Sequence, residues 1–306
     1  MVMKVKRCLI IYNPHSGKAA FKKALPEVVA KLEALGFTCN IAPTEYPRHA
    51  TQLYKEAAFN RVDLVVVSGG DGTMNEITNA VAKTKNPPPI GYLPSGTACD
   101  LAHTLGISKN IRKALGVIEA NHLRRMDVVQ SAQGYFAYVS AIGNYVDISY
   151  KANRRLKRYL GYAAYIIVGV KAFFTVPMIK AEIHVDDQKK LGVYALILIL
   201  NSRYVAGFDM VKRPQLDDQE VNVIAFPYVP LLNNVFFLLA FLLKIKKIPG
   251  VTYLKGKRVK VITNHHRAWN VDGEAANSGN QEIRVLPKTM PIYVHPKRLK
   301  YFKEVI

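Results

Sequence analysis

Four short stretches carry residue types suited to phosphate chemistry: "IIYNPHSGK" (10–18), "SGGDGTMNE" (68–76), "YLPSGTACDLA" (92–102) and "NVDGEAA" (270–276). In the first three, glycines stand where an apolar run ends and a helical period begins. Such a turn presents backbone N–H groups at the positive end of a helix, which favours a bound anion. Asn13, Ser16 and Gly17 offer donors and Lys18 a point charge; Gly69, Gly70 and Gly72 permit close backbone approach between Ser68 and Thr73; Gly96 and Thr97 open the third turn. None fits the Walker or GxGxxG templates, and each alone is equally an ordinary capping turn. Three on successive strand ends favour a nucleotide site. Asp71 would repel phosphates unless a divalent cation lay between, and magnesium in such sites is held by one or two carboxylates plus the phosphates. Its alternative role is a helix N-cap. In the fourth stretch Asp272 and Glu274 are one residue apart, so an extended segment points both to one face. A carboxylate there could accept the proton of a hydroxyl acceptor, with Gly273 giving access; a bare Asp-Gly turn is the other reading.

The elements that must position these residues follow from periodicity. "RCLIIY", "FTCNIA", "VDLVVV" and "IGYLP" read as strands; "FKKALPEVVAKLEAL", "ATQLYKEAAF" and the segment after Met74 read as helices. The run 62–67 is β-branched and continuous, the mark of a strand buried on both faces. Alternation of this kind predicts a parallel sheet covered by helices, with ligands at the carboxyl ends of the strands. Beyond Met126 the pattern turns β-rich: "GYFAYVSAIG", "KAEIHV", "GVYALILILNS", "EVNVIAF" and "KRVKVIT". The expected fold is an α/β N-terminal nucleotide-binding domain, residues 1–126 joined by 297–306, and a mainly antiparallel β-sandwich domain, residues 127–296. Two helical insertions, "RRLKRYLGYAAYIIVGVKAFF" and "PLLNNVFFLLAFLLKIKK", interrupt the second.

With 306 residues, half of them hydrophobic, the chain can build a sizeable core, which excludes a disordered class. Its 43 Lys+Arg against 22 Asp+Glu give a net charge of +21, which draws a chain toward polyanions, nucleic acid or an anionic membrane surface. No nucleic-acid module is recognisable, and none is expected as partner. Cys8, Cys39 and Cys99 have no metal or disulfide spacing; Cys8 and Cys39, in apolar strand-like runs, read as small core residues, and a reducing cytoplasm fits. The N-terminal apolar run is too short for a signal peptide, and Asn233 and Asn234 break the longest apolar stretch, so no spanning helix is expected.

"NPHSGK", "SGGDGTMNE" and "LPSGTACDLA", in this order, resemble the NPxSG, GGDGT and LPxGTxND signatures of the diacylglycerol kinase catalytic family, which includes soluble bacterial lipid kinases and the sphingosine kinases. The likeness continues through "MDVV", "LDDQEVNV" and "VDGE" and spans nearly the whole chain. It resembles NAD-kinase and phosphofructokinase folds in the first domain. The resemblance implies an ATP- and Mg2+-dependent kinase that phosphorylates the hydroxyl of diacylglycerol or a related lipid. Asn13, Ser16, Gly17, Lys18, Thr44, Ser68, Gly69, Gly70, Gly72, Thr73, Asn75, Gly96 and Thr97 would contact the nucleotide. Thr44 and Thr97 also read as caps for the helices that follow them. Asp71 would lie near the catalytic magnesium, and Asp272 would be the general base with Glu274 its companion. A structural magnesium would use Asp218 and the backbone carbonyls of Gln215 and Glu220, with Asp217 beside it and Asp127 in the linking network.

This chain departs from the pattern at Gln219, where the family has glycine, at Cys99, where it has asparagine, and in "SRYVAGFDM", which lacks a glycine run. A lipid acceptor accounts for the basic clusters Lys151, Arg154, Arg155, Lys157 and Arg158, and Lys244, Lys246 and Lys247, beside apolar helices. Peripheral docking on the inner face of an anionic membrane is the expectation; packing of those helices in a core or a homodimer interface is the alternative. The competing functions are an NAD kinase-like enzyme, which "LPSGTACDLA" and the position of "VDGE" fit poorly, and a non-catalytic lipid-binding protein on a kinase scaffold.

Overall fold

The computed structural model describes residues 6–17, 20–143, 178–229, 248–263 and 265–303. Lys18, both expected helical insertions and their basic clusters lie outside the described residues. The first domain runs β1 (Lys6–Tyr12), α1 (Ala20–Ala34), β2 (Phe37–Pro43), α2 (His49–Phe59), β3 (Leu64–Gly69), α3 (Asp71–Val81), β4 (Ile90–Pro94), α4 (Asp100–Leu105) and α5 (Ile111–Glu119). Its strands are parallel in the order β2-β1-β3-β4, as the alternating pattern predicts. Every residue of β3 is buried, since β1 and β4 flank it and helices cover it. At about 1.5–3 kcal/mol for each large apolar side chain taken fully from water, Leu64, Val65, Val66 and Val67 make this strand the prop of the domain. Helix α3 follows β3 directly and buries Met74, Ile77, Ala80 and Val81 against the sheet.

The second part comprises β5 (Leu123–Ser131), β6 (Gly134–Phe136), β7 (Val139–Gly143), β8 (Ile179–Val185), β9 (Gln188–Leu200), β10 (Tyr204–Val205), β11 (Phe208–Asp209), β12 (Val221–Pro227), β13 (Thr252–Gly256), β14 (Arg258–Thr263), β15 (Ala268–Val271), β16 (Glu274–Ser278) and β17 (Gln281–Tyr293), then a 3-10 helix, Pro296–Tyr301. Its strand pairings are antiparallel, and they enclose a second core around the fully buried Trp269, with Ile183, Ile197, Val223 and Val261. Strand β17 belongs to both parts. Its start pairs with β14, its end lies parallel to β4 at Ile292 and Ile90, and β5 runs antiparallel along both segments.

Two helix N-termini are capped from a distance. The N-cap residue of α2 is Arg48 rather than the expected Thr44, and Arg48 makes no side-chain cap. Instead the carboxylate of Glu76, on α3, accepts from the N–H of Arg48 at 2.9 Å and of Ala50 at 3.0 Å. Removing this carboxylate leaves two donors without their partner, so Glu76→Ala should destabilise the protein by about 1–2 kcal/mol, read as a lower urea midpoint at constant slope.

Candidate active site

The three glycine-bearing turns of the first domain converge at the carboxyl ends of β1, β3 and β4. The N–H of Asn13 donates to the carbonyl of Ser68 at 2.9 Å, and that of Ser95 to Gly69 at 3.0 Å. Hydroxyls of Ser16 and Ser95 lie 3.1 Å apart, and those of Ser68 and Ser95 3.4 Å apart. The glycines serve this packing of turn on turn. A Cβ on Gly17, where φ is +54°, would stand 2.1 Å from the Ser95 carbonyl oxygen; one on Gly96 would stand 2.5 Å from Gly70 Cα. Gly69 makes room for the buried Thr73 side chain, at 2.4 Å from where its own Cβ would be.

Asp71 is the first residue of α3, yet its carboxylate caps a different helix. It accepts from Cys99 N at 2.9 Å and Asp100 N at 3.0 Å, the N-terminus of α4. The capping role expected of Asp71 thus falls on α4, not on the helix that it opens. Thr97 is exposed and does not cap α4; its carbonyl accepts from Lys109 Nζ. Burial and the nearby Asp100 raise the Asp71 pKa to about 6, against the lowering effect of the N–H donors. Cys99 holds φ +58°, a left-handed conformation that asparagine tolerates better than cysteine, which gives a steric reason for the family's usual residue there.

The 270–276 segment reaches this loop from the second domain. A Cβ on Gly72 would lie 2.7 Å from Glu274 Oε1, and one on Gly273 would lie 4.0 Å from Asp71 Cβ. Asp272, only 1% exposed, is held by three consecutive backbone donors: Ala137 at 2.7 Å, and Tyr138 and Val139 at 3.0 Å each. These N–H groups lie at the break between β6 and β7, so the expected continuous run "GYFAYVSAIG" is split where its donors turn to the carboxylate. Burial dominates and lifts the Asp272 pKa to about 7, while the donors pull the other way. Asp272 and Glu274 sit on either side of the turn at Gly273, where Asp272 itself has φ +50°, rather than along one extended strand. They do not share an extended face; the turn sends Asp272 inward, whereas Glu274 remains exposed.

The Asn75 side chain meets the second domain. Its amide donates to the Tyr135 carbonyl at 3.2 Å and approaches Asp272 Oδ2 at 3.5 Å. Thr44 joins the β1 edge through its N–H to Tyr12 O. Two residues whose roles do not follow from the motifs also tie the site together. Asp100, 4% exposed, accepts from Ala206 N at 2.6 Å and Gly207 N at 2.9 Å, fastening the β10–β11 turn to α4. Asn201 donates to the carbonyls of Asp127 at 2.9 Å and Ala137 at 3.1 Å, linking β5 to the Asp272 cradle. Asp100 stands within "LPSGTACDLA", but nothing local gives the partners of either residue, which lie far off in the chain.

Several of the side chains expected around the structural metal have partners within the protein. Asp127 accepts from Gln219 N at 2.6 Å and Lys288 N at 2.7 Å, and Asp217 from Lys303 N at 2.9 Å. Gln215 donates its side-chain amide to Lys300 O. Gln219 does take φ +65°, as its position in place of a glycine predicts. Among the described residues no group of three or more Asp, Glu, His or Cys is placed to hold a metal ion.

The glycine turns of a parallel domain thus meet a buried carboxylate from an antiparallel domain. Residues 7–131 match the model of the diacylglycerol kinase catalytic domain. A diacylglycerol kinase of Staphylococcus carnosus is 33% identical over 298 residues, covering 96% of this chain and 97% of that protein. Another, from Staphylococcus saprophyticus, is 34% identical over 88% of this chain and 89% of its own. Two solved chains from Bacillus anthracis str. Sterne superpose with TM-scores of 0.84 and 0.78, each 24% identical, covering 97% and 96% of this chain and 98% and 99% of theirs; the second is described as a diacylglycerol kinase. The chain belongs to the diacylglycerol kinase family and is a lipid kinase. Because the Gly70–Gly96 contact is backbone against backbone and cannot relax by side-chain motion, Gly96→Ala should lower kcat/KM for the phosphoryl donor at least about tenfold, through misplacement of the turns; steady-state kinetics at saturating acceptor check it.

Proposed function

We propose that the chain transfers the γ-phosphoryl group of ATP, with magnesium, to the free hydroxyl of diacylglycerol, forming phosphatidic acid and ADP. The observation that carries this reading is the approach of the 272–274 turn to the Ser68–Thr73 loop, which sets a buried carboxylate of raised pKa beside a strand-end phosphate cradle. The names of the relatives at 33–34% identity support the acceptor. In this mechanism Asn13, Ser16 and the backbone of the three turns bind the phosphates and fix the donor in line with the acceptor. The Asp272 carboxylate takes the hydroxyl proton as the acceptor oxygen bonds to the γ-phosphorus and the bond to the β,γ-bridging oxygen breaks. Ala137, Tyr138 and Val139 hold that carboxylate in a single orientation through the step. Asn75, at its Oδ2, is a positioning group.

Magnesium fits beside Asp71, whose carboxylate spends two of its roughly four acceptor positions on the α4 N-terminus and lies next to the glycine turns. Bound there, the ion would offset phosphate charge. The net charge of +21 supports action at an anionic membrane surface, where each nearby Lys or Arg adds about 1 kcal/mol of attraction. No helix among the described residues is long and apolar enough to cross a membrane.

Transfer of labelled γ-phosphate to diacylglycerol in anionic mixed micelles tests the reading, with polyprenol, sphingoid lipid and NAD as competing acceptors. Labelled phosphatidic acid is the expected product; label only in another acceptor would overturn the assignment. Asp272→Asn should lower kcat by about 10²–10⁴. For the wild type, log kcat/KM should rise with pH and level off above about 7, because the base acts only when deprotonated. The linkage to stability has the opposite sense. With its folded pKa above the unfolded value, Asp272 contributes stability that is present below about pH 4 and lost as pH rises through about 7.

A further inference from the structure

The loop before β12 gathers Asp217, Asp218 and Glu220 near Asp127, the neighbourhood in which the family resemblance places a structural divalent cation. The carboxylates of this chain are already engaged there by groups of the protein itself. Asp127 and Asp217 are engaged by backbone N–H groups of Gln219, Lys288 and Lys303. The two remaining carboxylates converge on an ammonium. Lys255 Nζ pairs with Asp218 Oδ2, whose side chain has no solvent exposure, and lies 2.7 Å from Glu220 Oε2. Asp218 Oδ1 is occupied by Glu220 N at 3.1 Å.

The placement of Lys255 is built into the sheet. In the β12–β13 ladder Lys255 stands directly opposite Asn222. Glu220 lies two residues before Asn222, hence on the same face and diagonal to Lys255, within reach of a long side chain. A shift of one residue in that register would turn Lys255 to the other face and strand the buried Asp218. The lysine is therefore held to the cluster by the same hydrogen bonds that form the hairpin.

We infer that the ammonium of Lys255 is the resident cation of this cluster, and that the folded chain draws on no divalent ion there. A monovalent charge with three donors meets two carboxylates, and the rest of the acidic group is neutralised by fixed N–H dipoles. The inference concerns the stability of the second domain and stands independently of the proposed acceptor and of any magnesium beside Asp71.

Thermal unfolding of the nucleotide-free protein in EDTA, in millimolar Mg2+ and in millimolar Ca2+ tests it. The wild type should show one Tm in all three. Lys255→Met, which keeps the length of the side chain and removes the charge, should unfold lower in EDTA by on the order of 10 °C and gain a Tm rise with Ca2+ or Mg2+, as the vacated carboxylates recruit an ion. Lys255→Arg should remain near the wild type and insensitive to cations. A wild-type Tm that falls on chelation and is restored by a divalent ion would overturn the inference, as would a Lys255→Met protein with the wild-type Tm in EDTA. If Lys255→Met fails to fold, the wild-type chelation series with Lys255→Arg still decides.

Discussion

Backbone N–H groups that converge on a carboxylate away from bulk water are the interaction on which the rest of this structure depends. Asp71 binds the start of α4, Glu76 the start of α2, Asp100 the β10–β11 turn, Asp127 the bend in β17, and Asp272 the break between β6 and β7. Each joins segments far apart in sequence. Such charge-assisted bonds are stronger than neutral ones, and they satisfy donors that a helix terminus or an interrupted strand would otherwise leave without partners. An anion is thus the preferred connector in a chain whose overall charge is strongly positive.

The same interaction tunes the chemistry. Desolvation raises the proton affinity of a carboxylate and N–H donors lower it, so the net shift reports which wins. At Asp272 burial prevails over three backbone bonds and lifts the pKa to about 7. Asp127 is likewise raised to about 6 by burial, opposed by Lys288 and Gln219. Asp71 is raised to about 6, by burial and the nearby Asp100.

The sequence made legible what short-range patterns encode. β3 and α3 were readable because a fully apolar run and a 3.6-residue period each lie within a dozen residues, and the motifs around Gly17, Gly70 and Gly96 are contiguous. What it concealed was long-range. Glu76 reads as a helix surface residue until α2 is brought beside it, Asp100 as one more residue in a loop until the turn at Ala206 arrives. The split of "GYFAYVSAIG" follows from the demand of Asp272 for donors, which no β-propensity scale contains. Lys255 could be read as a ligand of Asp218 only from the β12–β13 register, a tertiary quantity. The glycine turns themselves were legible as a cradle, but not as surfaces cut to fit one another.

Strand β17 leaves its ladder with β14, bends between Leu286 and Met290, and ends beside β4, with β5 following it throughout. Asp127, on β5, grips the bend at Lys288, which takes φ +47°. The segment 7–131, although it carries all three glycine turns, therefore lacks the strand that covers the edge of β4. Cut free, it would offer an unpaired hydrophobic strand edge to any other chain. The boundary between the two halves is therefore not a linker that could be cut without exposing sheet, because one continuous strand is structural to both.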